Sequence, residues 1–216
     1  MDRARVEQQG NWLIVRFPVP YQVVSWAIVR GSETQTDTVA WYRVTKDDLK
    51  PPVDPREFLK SRLVEASIPH AVGLLTSADL DRYADVEKKA EDIAVRSVAT
   101  VGLANALRIG DLPRLLESVG TINLLCQISR PLSNEAFLEA LSLAAEARTT
   151  ALLESGIPSA ESGLPVTGTG TDCIVIAAPP AGEPLSYAGK HTLLGHLVGA
   201  SVLEAVRSGM KNKENK

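Results

Sequence analysis

The chain has 216 residues, 44% hydrophobic and 23% charged, with a formal net charge of −3. This length can bury a sizeable core, and the composition is that of an ordinary soluble protein. The charge argues against a nucleic-acid footprint, two cysteines make no disulfide framework, and no apolar run approaches the ~18 residues of a membrane span. Cys126 and Cys173 both lie in apolar runs and read as buried free thiols, which points to a reducing compartment. Met1 to Glu7 holds no apolar signal-peptide core, so a cytoplasmic location is expected.

Asn11 to Phe17, Tyr21 to Arg30 and Thr36 to Val44 read as three strands of an antiparallel meander, with Pro18 and Pro20 breaking the first from the second. Asp54 caps a helix with Pro55 at its first position, running to Ala66 and burying Phe58, Leu59, Leu63 and Val64. His70 to Thr76 is a short strand, and charged Asp79 to Lys89 a surface loop or turn of helix. Ile93 to Val101 and Thr121 to Ile128 are strands, with a break at Asp111-Leu112-Pro113. Ser133 caps the clearest helix, with Leu132 and Phe137 placed as a hydrophobic staple and Gly156 with Pro158 ending it. Its expected apolar stripe is Phe137, Leu141, Ala144, Ala145 and Leu152. Ile157 to Gly163 is a loop and Asp172 to Ala178 a strand. The last helix spans Lys190 to Arg207, with Gly195 and Gly199 on one face for close approach to another element. The expectation is an α+β fold, one domain over residues 1–210, with a largely antiparallel sheet packed by two long helices. Residues 211–216, with three Lys and one Glu, are expected to form a disordered basic tail.

The richest polar stretch is Thr167-Gly168-Thr169-Gly170-Thr171-Asp172, at the mouth of the apolar run from Cys173. It reads as a hydrogen-bonded turn or as a loop whose amides and hydroxyls hold an anion, oxyanion or carboxamide. It is not a P-loop, since no Gly-Lys-Ser/Thr follows, nor a dinucleotide fingerprint, since it precedes its strand. His191 at a helix start is a general-base candidate, and mid-helix Glu146 a carboxylate that orients a base or water. Asn105 and Asn123 sit among apolar residues and can bind a polar ligand group. His191 and His196 are five apart, a spacing that disfavours a metal pair. The residues thus indicate a small-molecule site without naming a reaction.

Four segments together resemble the adenosylcobinamide amidohydrolases, corrinoid-salvage enzymes of archaea and some bacteria. They are Val72 to Ala78, Ala99 to Ala106, Gly120 to Asn123 with Glu146 to Thr149, and Thr167 to Asp172 with Tyr187 to Gly195. The N-terminal third matches less well: Ser25-Trp26-Ala27 and Arg30-Gly31-Ser32 stand where the family pattern has Ser-Ser-Ala and a Gly-Gly pair. The resemblance implies hydrolysis of the amide joining aminopropanol to the corrin ring, without a cofactor or protein-bound metal. A corrinoid is the implied partner, with no nucleic acid and a homo-oligomer left open. The candidate catalytic residues are then Asp172, His191 and Glu146. Candidate substrate contacts are Thr100, Asn105, Thr121, Asn123, Thr167, Gly168, Thr169, Gly170, Thr171, Lys190 and Thr192. A corrinoid carrier or sensor, or an amidase for another amide, is the alternative.

Overall fold

The computed structural model describes residues 4–113 and 120–211. β1 (Arg5–Gln9) and β2 (Trp12–Ser25) form a hairpin, with Gly10 at φ +56° in its two-residue turn. β3 (Ser32–Arg43) pairs antiparallel with β2. Helix α1 (Pro55–Glu65) then crosses to β4 (Val72–Thr76), which lies parallel to β3. β5 (Ala84–Ala90), β6 (Ile93–Val101) and β8 (Ile122–Ile128) are mutually antiparallel. Helix α2 (Asn134–Ser155) carries the chain to β10 (Cys173–Ala178), parallel to β8 and antiparallel to β2. β7 (Ala106–Leu107) and β9 (Gly168–Thr169) make a separate small ribbon, and α3 (Leu193–Lys211) ends the described chain.

The sheet order is β4-β3-β2-β10-β8-β6-β5, with β1 also on β2. The fold is α+β with a largely antiparallel sheet, as the sequence implied, and the parallel pairs are those spanned by α1 and α2. The sheet curls strongly: Asn123 Nδ2 of β8 donates to the Leu75 carbonyl of β4 at 2.7 Å, although three strands separate the two in sheet order. Its concave face holds Leu13, Val23, Trp41, Leu74, Val98, Leu125 and Val175. The convex face is covered in two parts. α2 and α3 pack on Val95, Ala99, Leu124, Ile174 and Ile176, and α1 packs through Leu59 and Leu63 on Ala40. One alternating strand pattern thus feeds two opposed cores.

Several elements depart from the sequence expectations. β2 is one continuous strand through both prolines. Its register against β3 shifts between Arg16 and Tyr21, and Pro18 to Pro20 form an exposed bulge. On its other edge β1 pairs with residues 12–16 and β10 with 22–25, so the prolines fall where no ladder needs an N–H. Phe17 and Tyr21 stack at 4.5 Å across the bulge and hold its base closed. Asp79 to Lys89 is a 3-10 turn (Leu80–Arg82) followed by edge strand β5. The edge position explains the charges, which blunt pairing with other chains. In α1, Val64 is 63% exposed and Phe58 half-buried, so only Leu59 and Leu63 anchor the helix. α3 begins at Leu193, with Lys190 and His191 in the preceding turn; the Thr192 hydroxyl accepts from Gly195 N at 3.0 Å. Gly195 meets the carbonyls of Ala188 and Gly189 in that turn, whereas Gly199 has open space. Lys211 closes α3, and the rest of the tail, 212–216, lies outside the described residues.

α2 is set as expected at both ends. The Ser133 hydroxyl accepts from Ala136 N, and Gly156 takes the left-handed conformation at φ +69°. Of the expected stripe Phe137, Ala144 and Leu152 are buried, Leu141 and Ala145 are only half-buried, and the buried face instead takes in Ala136, Ala140, Leu143, Ala147 and Ala151. Those alanines bring α2 close to the sheet, with Phe137 as its largest buried anchor. Phe137→Ala should cost about 3–5 kcal/mol through lost burial and a residual cavity, read as a lower urea midpoint at unchanged slope.

Candidate functional site

Three strand ends converge where the curl opens: the C-terminus of β4 and the N-termini of β8 and β10. Between them lies a cavity of about 380 Å³. Leu74, Ile28, Leu49 and Pro55 supply apolar wall, while Asn105, Thr121, Asn123, Thr171 and Asp172 supply polar wall. The Thr121 and Thr171 hydroxyls touch at 2.5 Å, and the Thr171 hydroxyl also reaches the Gly120 carbonyl at 3.2 Å. Asn105 is 4% exposed, and its Oδ1 accepts no hydrogen bond. Thr100, cross-strand neighbour of Asn123, is buried with its hydroxyl likewise unpartnered. Buried acceptors of this kind normally have a partner; of the two residues, Asn105 belongs to the cavity lining.

Asp172 organises this end of the molecule. Its Oδ2 accepts from Arg148 Nη1 at 2.8 Å and from Thr169 N at 3.0 Å. Its Oδ1 accepts from Ile122 N at 3.1 Å and from the Thr169 hydroxyl. Both side chains of the ion pair are largely buried, at 7% exposure for Asp172 and 16% for Arg148. Gly168 is required here, because a Cβ at that position would lie 2.6 Å from Asp172 Oδ2. A second cavity of about 410 Å³ adjoins the first, walled by Thr167 to Gly170, Thr149, Arg148 and Arg108. Trp26 and Asp172 line both cavities.

The other candidates lie elsewhere. Glu146 forms an ion pair with Lys190 in a groove between α2 and α3 that also holds His196. This groove shares no lining residue with the Asp172 cavity. His191 is exposed in the turn before α3, with its ring against Gly189, and Thr192 serves as the cap of that helix. Among the described residues no group of three or more His, Cys, Asp or Glu is placed to hold a metal, and no helix is long and apolar enough to cross a membrane. Sequence reasoning missed Arg148 and Trp26. Arg148 lay within a quoted segment, but two residues from Glu146 on a helix puts it on a different face. Trp26 was hidden inside a strand expected to run on to Arg30, whereas β2 ends at Ser25.

An apolar cavity rimmed by amide- and hydroxyl-bearing side chains suits an enzyme acting on a carboxamide, and the comparisons with known proteins agree: the chain is an amidohydrolase. It belongs to the adenosylcobinamide amidohydrolase family (CbiZ), which it matches over residues 1–216. An adenosylcobinamide amidohydrolase of Halobacterium salinarum is 31% identical over 194 residues, covering 85% of this chain and 78% of that one. One of Methanosarcina mazei is 26% identical over 170 residues, covering 74% and 76%. Among solved structures, the PH0078 protein from Pyrococcus horikoshii OT3 aligns with 97% of this chain and 83% of its own, at 10% identity and a TM-score of 0.48.

Two predictions follow the geometry. Arg148→Met strands the Asp172 carboxylate in a buried setting and should cost about 3–5 kcal/mol in urea unfolding. The double variant Asp172→Leu/Arg148→Met should recover only part of that loss, since no unpaired charge remains but Ile122 N and Thr169 N lose their acceptor. Cys173 lines the first cavity, yet burial pushes its thiol up to about 12, and burial does the same to Cys126. A protonated thiol is not a nucleophile. Neither cysteine should react with Ellman's reagent at neutral pH in the folded protein, and both should react after denaturation.

Proposed function

We propose that the protein hydrolyses the amide joining aminopropanol to the corrin ring of adenosylcobinamide, giving adenosylcobyric acid and 1-amino-2-propanol in corrinoid salvage. The observation that carries this reading is the family match over the whole chain combined with an apolar cavity whose polar wall is made of amide and hydroxyl side chains. The substrate is far larger than that cavity, so the cavity takes the amide-bearing arm and leaves the ring outside.

The reaction centres on Asp172, the one candidate catalytic residue in this cavity. Of the four donors holding its carboxylate, the Thr169 hydroxyl is the neutral side-chain one and the readiest to exchange for water. Water seated on Oδ1 loses a proton to Asp172 as its oxygen attacks the amide carbon. The Thr121 hydroxyl turns away from Thr171, whose own proton goes to the Gly120 carbonyl, and donates to the developing oxyanion. The C–N bond then breaks, and the proton held by Asp172 passes to the departing amine nitrogen. Asn105 and Asn123 form polar wall beside the bound amide, and Thr100 supports Asn123 from the neighbouring strand. The Arg148 guanidinium holds the Asp172 side chain in place between turnovers.

The test is incubation with adenosylcobinamide and detection of adenosylcobyric acid by mass spectrometry. Asp172→Asn should lower kcat by about 10²-fold or more, while Glu146→Gln and His191→Ala stay within about fivefold of the parent. Loss of turnover in the latter two with Asp172→Asn active would move the reaction to the groove between α2 and α3. Tight corrinoid binding without product would make the protein a carrier.

A further inference from the structure

The largest side chain type in this chain stands in the open at the site's mouth. Trp26 directly follows β2 and is 48% exposed. It is nonetheless fixed: its indole N–H donates to the Asp172 carbonyl at 2.5 Å. One edge of the ring is pinned, and much of the indole remains available to a ligand. Trp26 forms wall in both cavities, so it stands at their shared mouth. Ile109, 84% exposed, continues the apolar surface on one side, and Ile28 and Leu49 continue it on the other. An exposed aromatic flanked by apolar side chains marks a binding surface.

We infer that Trp26 is the shelf on which the substrate's macrocycle rests, so that the ring lies across both cavity mouths while its amide arm enters the cavity walled by Asn105 and Thr121. The inference rests on the corrinoid reading above. The 380 Å³ cavity cannot enclose the ring, which must find its apolar contact outside, and Trp26 is the broad apolar surface at that place. An indole already held by a hydrogen bond has little rotamer freedom left to lose, so stacking on it is favourable. Because the anchor is the backbone carbonyl of Asp172, the shelf stands directly beside the cavity that takes the arm. Trp26 is thus a binding residue that sets substrate size and shape.

The experiment compares adenosylcobinamide kinetics and equilibrium dialysis for the parent, Trp26→Ala, Trp26→Leu and Trp26→Phe. Removing the aromatic face should raise KM and the corrinoid Kd about tenfold or more, the scale of one lost aromatic stack. kcat should stay within about threefold, since the scissile amide keeps its surroundings. Trp26→Phe keeps a face and loses the N–H, so its KM and Kd should stay within about threefold of the parent. Unchanged KM in Trp26→Ala and Trp26→Leu, with the parent turning over, overturns the shelf and leaves the amidohydrolase reading intact. Equal loss in Trp26→Phe and Trp26→Ala also overturns it, because the hydrogen bond to Asp172 would then be the whole role. A parent protein that neither binds nor cleaves adenosylcobinamide overturns the corrinoid reading, and the shelf with it.

Discussion

The Asp172 carboxylate, buried against Arg148, is the constraint on which this end of the molecule depends. A charge with 7% exposure is tolerated only when every lone pair is answered. Here four donors come from three elements: α2 through Arg148, β8 through Ile122 N, and β9 through the Thr169 amide and hydroxyl. The backbone carbonyl of the same residue receives Trp26 from the end of β2. One residue therefore ties a helix, three strands and an aromatic side chain together at the opening of the sheet. Its satisfaction is local but its consequence is global, because the cavity walls are the same segments that supply the donors.

The curl of the sheet makes such a meeting possible. A flat sheet in this order would hold β4 and β8 far apart, whereas here the Asn123 side chain bonds the Leu75 carbonyl. Curling encloses a concave core that is not uniformly apolar. Arg96 is 4% exposed on β6, with its guanidinium forked onto Asp85 and reaching the Ala4 carbonyl. Burial would lower the pKa of that guanidinium, but its hydrogen bonds to Asp85 outweigh this and raise it. The pair ties edge strand β5 to the N-terminal chain, so the interior of the curl is cross-braced by charge as well as packed by Trp41 and Leu125.

Much of the architecture was readable because local signals agreed with the global fold. Asp54, Ser133 and Gly156 cap where their chemistry requires, and the apolar runs from Cys173 and from Ile93 are buried strands. The misreadings share one cause: whether a residue's neighbours are present is a tertiary fact. Pro18 and Pro20 look like a break until one knows that no strand pairs beside them. The charges of β5 look like a loop until one knows that the strand is an edge. The candidate site divides in the same way. The Thr167 to Asp172 loop was visible as a cluster of polar groups, and the structure joins it to Thr121 and Asn123. Glu146 and His191 were visible only as residue types; the chain carries Glu146 to a different groove and leaves His191 exposed in the turn before α3. Arg148 and Trp26 carried no signal that outweighs a solvated helix face and a strand aromatic.

Site and substrate differ in size, and the difference bears on how binding serves the chemistry. A cavity that encloses only an arm can hold the reacting amide in a dry, preorganised setting while the bulk of the ligand remains at the surface. Contacts to that bulk are made equally in the ground and transition states, so by themselves they lower KM without raising kcat. They assist the chemical step only if they fix the arm's approach, converting binding into orientation. That requires the outer contact and the reacting group to share one rigid frame. In this protein one hydrogen bond, from the exposed Trp26 indole to the Asp172 carbonyl, links the outer surface to the cavity wall, and a contact made there acts as uniform binding.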